Sequence, residues 1–182
     1  MVWLIGIISL VLSMVMGIVT IAIGFFFFGR ITGNINEEEE LLNNNIAVAI
    51  LYASFIFALG YIMKEVIQPM IQTFFSIFYQ FQIALTISKE TVIKAAIYLP
   101  LQFLLTLIIS IIVLSGSIRV FLWLTKNIDE LKEIKKNNIA VAIVLASVII
   151  TIAMIVEIGL PKMLEVIIPT SPIHDKALSP FG

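Results

Sequence analysis

Cysteine is absent from the 182 residues, charge is scarce and histidine occurs once. The missing thiols exclude disulfides, thiolate metal sites, haem attachment through a CxxC pair, cysteine nucleophiles and palmitoylation. Only 13% of the residues are charged, against roughly 25% in an ordinary soluble domain. Basic residues (11) and acidic residues (12) nearly cancel, so no broad basic field exists for nucleic acid. The lone His174 stands beside Asp175 in a proline-containing tail, 161–182, and reads as tail surface. This inventory supports no nucleophilic triad, no haem held by paired histidines and no histidine-based zinc site. The expectation is a chain without catalysis, cofactor or metal.

What is present is apolar. Sixty per cent of the residues are hydrophobic. A soluble domain of that make-up could not cover its surface with polar groups; a lipid bilayer as partner removes the problem. Four uncharged stretches, 2–28, 46–63, 95–118 and 139–156, have about the length needed to cross the hydrocarbon core. Backbone groups find no water there, so each is expected to be helical. The first lacks the basic leader, short apolar core and small-residue cleavage site of a secretory signal, and reads as a retained span. A fifth uncharged stretch, 66–88, carries Gln68, Pro69, Gln72, Gln80 and Gln82 among Phe74, Phe75, Phe78, Tyr79 and Phe81. Amides mixed with aromatics suit the headgroup boundary, so an interfacial or re-entrant segment is expected, with a fifth span as the alternative.

An internal repeat organises the chain. Residues 32–50 align without a gap to 125–143, at a constant offset of 93, and Asn44–Ile50 is identical to Asn137–Ile143. Matched Thr, Asn and Glu positions in the polar loops go beyond what two apolar helices share by chance. The expected fold is therefore an all-α integral membrane protein: four transmembrane helices as two parallel-related hairpin repeats, 1–93 and 94–182, with an interfacial helix between them. Two spans per copy give both copies the same orientation, about an axis along the membrane normal. Lysines at 126, 132, 135 and 136 and the lack of basic residues before the first span place the loops in the cytoplasm and the N-terminus outside.

Each loop reads as a short helix feeding a span. Asn34 and Asn127 are the expected N-caps, with Glu37 and Glu130 three residues on. Ile128, Leu131 and Ile134 form an apolar edge able to lie on the membrane surface, which Leu41 and Leu42 match less well. The run Glu37–Glu40 reads as a solvated edge. Asn44, Asn45, Asn137 and Asn138 stand where the next span begins. They serve either as helix caps and a bend at headgroup level, or as a paired polar site built by both copies.

Within the spans, Gly6, Ser9, Ser13, Gly17, Thr20 and Gly24 recur every three or four residues and share one helix face. Ala47, Ser54 and Ala58, then Ala140, Ser147 and Thr151, echo them. Gln102, Thr106, Ser110 and Ser117 give the third span a mildly polar face. Small faces let backbones approach closely in lipid, so these stripes read as internal packing or an oligomer seam, with a narrow pore lining as the rival. Lys64 and Glu157 occupy equivalent repeat positions and are candidates for an ion pair between copies. The spans otherwise lack the ionisable residues that pumps and voltage sensors carry.

The Glu/Leu-rich loop, the Asn-Asn-Ile-Ala-Val-Ala run and the small-residue span, each occurring twice, resemble a prokaryotic inner-membrane family, the domain of unknown function numbered three hundred and fifty. The resemblance covers Val2 to about Leu160. It implies four helices in two hairpins, a location in the prokaryotic cytoplasmic membrane, and no known activity. The family pattern has Gly-Asn where this chain has Asn44-Asn45 and Asn137-Asn138, and the linker between copies is longer here. The expected role is a structural or accessory subunit, assembling with itself or with other membrane subunits. A homo-oligomeric channel and a lipid-handling protein are the alternatives.

Overall fold

The computed structural model describes residues 2–33, 35–84, 89–125 and 129–168. Six helices follow one another: α1 (Val2–Ile31), α2 (Glu37–Leu42), α3 (Ile46–Ala84), α4 (Lys89–Leu124), α5 (Glu130–Lys135) and α6 (Ile139–Ile167). Four of them, α1, α3, α4 and α6, are long and apolar enough to cross a membrane. The chain thus has the make-up of a multi-pass helical membrane protein, as the hydropathy pattern predicts. At about 1.5 Å per residue, α3 is about 58 Å long and overshoots a hydrocarbon core of about 30 Å.

One expected boundary is not there. Residues 66–84 form no separate interfacial element; they continue α3 without a break, through Pro69. The cause is packing. Ile62, Val66, Met70 and Thr73 recur at helical spacing and are all buried, so the helix has a face to pack against on both sides of its proline. Proline removes one backbone bond, the one to the Glu65 carbonyl, and one turn further on the Thr73 hydroxyl donates to the Pro69 carbonyl, 2.9 Å away.

α3 is the central helix. It packs against α6, α1 and α4, and α4 also packs against α6. α1 sits at the edge, joined to α3 by Phe25 and Phe28 around Tyr52, with ring centroids 4.8 and 4.9 Å apart. Gly24 leaves room for α3: a Cβ there would lie 2.9 Å from side-chain methyls of Ile56 and Leu59. Two contacts fix how α3 and α6 run. Ala47 meets Asn137 at one end, and Lys64 meets Glu157 at the other. The two helices are parallel and in register.

They do not meet through equivalent faces. Ala47, Leu51, Ser54, Ala58, Ile62 and Val66 of α3 are buried. Their repeat counterparts Ala140, Val144, Ser147, Thr151, Ile155 and Gly159 are all exposed. Conversely Ala146 and Ala153 of α6 are buried, while Ala53 and Gly60 of α3 are exposed. No buried residue of 46–75 has a buried counterpart in 139–168. α4 lies alongside α3, yet α1 takes no comparable place alongside α6.

Candidate functional site

The polar residues singled out in the sequence gather at the loop end of α3 and α6. Each short helix is capped two residues later than the sequence suggests. Asn36 caps α2, and Asp129 caps α5 by accepting from the Lys132 N–H at 3.1 Å. Asn34 and Asn127, the expected caps, lie outside the described residues. The Asn36 amide also donates to the Glu39 carboxylate at 3.2 Å, a reciprocal capping arrangement in a different register from the one expected.

The turn that follows is built alike in both loops. Asn44 and Asn137 have φ of 56° and 66°, a left-handed conformation that asparagine tolerates better than other residues with a Cβ. This is the position where the resembling family carries glycine, which meets the same backbone demand. The next residues, Asn45 and Asn138, are N-caps. Their side-chain oxygens accept from Val48 N–H at 3.1 Å and Val141 N–H at 3.4 Å. Their amides donate back to Glu40 at 2.7 Å and Glu133 at 3.2 Å. Lys136 and then the Asn138 amide hold the Glu133 carboxyl below its usual range.

The loops differ in what they reach across to. Asn45 is buried and also donates to the carbonyls of Ile134 and Lys135, at 3.2 and 3.1 Å. In return the Asn137 side-chain oxygen accepts from the Ala47 N–H at 3.0 Å. Ile134 is buried in the core cluster; it lies against protein, not on the membrane surface as the apolar edge of its loop suggests. These contacts form a polar seam by which the second loop holds the start of α3. Asn44 and Asn138 make no such crossing among the described residues, so half of the expected four-asparagine site is built: Asn45 and Asn137 cross at one helix start, and Asn138 caps its own helix.

The two acids expected to complete the capping boxes take a different place. Glu37 and Glu130 are repeat equivalents, and each has a buried carboxylate oxygen without a hydrogen-bond partner. The Glu37 carboxylate rests where Gly29 leaves room for it, 2.7 Å from the position a Cβ would take. No group of three or more His, Asp or Glu residues converges among the described residues.

At the far end Lys64 and Glu157 pair at 2.9 Å, with Lys64 also 3.8 Å from the centre of the Tyr61 ring. The small-residue faces divide. Gly24 and Ser54 are packed inside; Gly6 and Ser147 are exposed. Ser13 and Gly17 line an open groove of about 590 Å³ between α1 and α3 that reaches Lys64. On the polar face of the third span, Ser117 lines an apolar groove of about 410 Å³ shared with Val148 and Ile152 of α6. Gln102, Thr106, Ser110 and Ser117 are buried, and the Thr106, Ser110 and Ser117 hydroxyls donate to carbonyls of their own helix at 2.6–2.7 Å. His174 and Asp175 lie outside the described residues.

A family model described as Domain of Unknown Function (DUF350) matches residues 1–160. No curated protein and no solved structure matches the chain.

Proposed function

The chain belongs to the DUF350 family, and on that premise we propose that it is a non-enzymatic structural or accessory subunit of an assembly in a prokaryotic cytoplasmic membrane, with its loops on the cytoplasmic side. One observation carries the reading. Small and hydroxyl-bearing residues on the membrane-spanning surface, Ser147 and Thr151 on α6 and Gly6 on α1, face away from the fold's own core. Helix association in lipid depends on such residues, because they allow close backbone approach where lipid tails give no hydrophobic drive. Native mass spectrometry of protein gently extracted from its membranes tests the reading. An assembly of two or more chains supports it; a single chain carrying only lipid refutes it.

A second reading, lipid handling, is favoured by one feature. An apolar groove of about 330 Å³ runs between α1, α3 and α4, lined by Met16, Met70, Phe74 and Leu99. It predicts a tightly retained lipid that Phe74→Ala releases, read as a mass loss after delipidation.

A further inference from the structure

The seam between the two halves of the chain is open at both outer ends, and this follows from the repeat itself. Within the chain, the second loop docks on the start of α3: Asn45 donates to the Ile134 and Lys135 carbonyls, and Asn137 accepts from Ala47 N–H. Shifting each residue by the repeat offset writes the next seam. Asn138 would donate to the carbonyls of Leu41 and Leu42, and Asn44 would accept from Ala140 N–H. Every member of this shifted set is in the chain, and none of these bonds is made in it.

The shifted groups are also the ones left accessible. Asn44 and Ala140 are exposed. Asn45 uses its amide on Glu40 and on two carbonyls across the seam, whereas the Asn138 amide has, among the described residues, only Glu133. Ile134, at the docked loop, is fully buried; its counterpart Leu41 is 40% exposed. The membrane-spanning faces follow the same rule. The α6 face equivalent to the packed face of α3 is open, and so are Ala53 and Gly60, the α3 counterparts of packed Ala146 and Ala153. Lipid covers any apolar face equally well, so exposure alone does not choose an occupant. The repeat does, because it supplies a worked interface whose two complementary halves both recur, unpaired, on opposite sides of one molecule.

We infer that a second copy of this chain docks its first loop and α3 onto the open face of α6, head to tail, reproducing between chains the seam already built within one. Because both halves keep the same orientation in the membrane, the operation is a rotation about the membrane normal and closes into a ring when its angle divides the circle. Glu157 then meets Lys64 of the next copy, as it meets Lys64 of its own. The inference rests on the assembly reading above and names the partner and the face.

The chain has no native cysteine, so introduced thiols report without background. One population carrying Asn44→Cys and another carrying Ala140→Cys are co-expressed and oxidised in intact membranes. The expected product is a covalent dimer of the two variants; the double variant Ala47→Cys with Asn137→Cys serves as the in-chain control and closes within one chain. The inference is overturned if the control closes and the Asn44–Ala140 dimer does not form. It is equally overturned if Ala140→Cys chains join each other instead, which marks a face-to-face twofold contact. Thr151→Trp gives a reading independent of thiol geometry: on an exposed position it is expected to shift the native mass from multimer to single chain, and an unshifted multimer overturns the inference. An assembly with foreign subunits and no second copy rejects the inference and leaves the assembly reading standing. A lone chain with lipid rejects both.

Discussion

α3 and α6 begin with the same five residues after the same two asparagines, take the same turn, and carry the same capping asparagine, yet they bury opposite faces. Identical local sequence thus yields identical local structure, down to the left-handed asparagine and the amide that reaches back to Glu40 or Glu133. Packing does not follow. Among the four long helices, α3 packs against α1, α4 and α6, and α6 packs against α3 and α4. The difference teaches that burial here is set by position in the chain of repeats, the inner helix being enclosed and the terminal one open on one side.

Paired substitutions break the comparison most strongly in the spans. Leu51→Ala removes a fully buried side chain and is expected to cost about 2–5 kcal/mol. Val144→Ala, at the equivalent exposed position, is expected to cost well under about 1 kcal/mol. Thermal unfolding of the detergent-solubilised protein compares them; equal losses would show that α6 is enclosed after all.

The caps give a smaller contrast. Asn45→Ala loses the Val48 cap, the Glu40 bond and both bonds across the seam, and is expected to cost about 1–3 kcal/mol. Asn138→Ala loses only its cap and the Glu133 bond, about 1 kcal/mol. Chemical unfolding of the two variants side by side should rank them in that order.

The turn asparagines sharpen it further. Glycine keeps the left-handed backbone at either site. Asn137→Gly nevertheless uncovers the Ala47 N–H and is expected to cost about 1 kcal/mol, while Asn44→Gly is expected to be close to neutral in the isolated chain. Hydrogen exchange at Ala47 and Ala140 reads this directly, with faster exchange expected at Ala47 in Asn137→Gly.

The smallest effect is one of pH. Glu133 is held below its ordinary 4.5 by Lys136 and Asn138. A depressed carboxyl contributes stability that is fully present above the ordinary value and lost as pH falls through the lower one. The second loop should therefore show unchanged protection at neutral pH and lose it only in acid below about pH 4.5, and Glu133→Gln should remove that acid step. Solvent screening keeps the change small.

Much of this was legible before the structure. Four spans follow from hydropathy alone, and the repeat alignment placed Asn44, Asn45, Asn137 and Asn138 at one junction and paired Lys64 with Glu157. The cap register was not legible, because Glu37–Glu40 puts an acid three residues after both Asn34 and Asn36. In the second loop only Asn127 has one; Asp129 is followed by Lys132. The continuation of α3 was masked by glutamines and Pro69, although Val66, Met70 and Thr73 kept the helical period. The opposite burial of α3 and α6 was beyond sequence altogether, since identical residues cannot say which copy is enclosed.

A photo-crosslinking side chain placed at Ala58 in one variant and at its repeat equivalent Thr151 in another, activated in native membranes, tests the central claim most directly. The account predicts a crosslink confined to one chain from position 58, and a product of twice the 20.3 kDa chain mass from position 151. Intrachain or lipid-only products from both positions would contradict it.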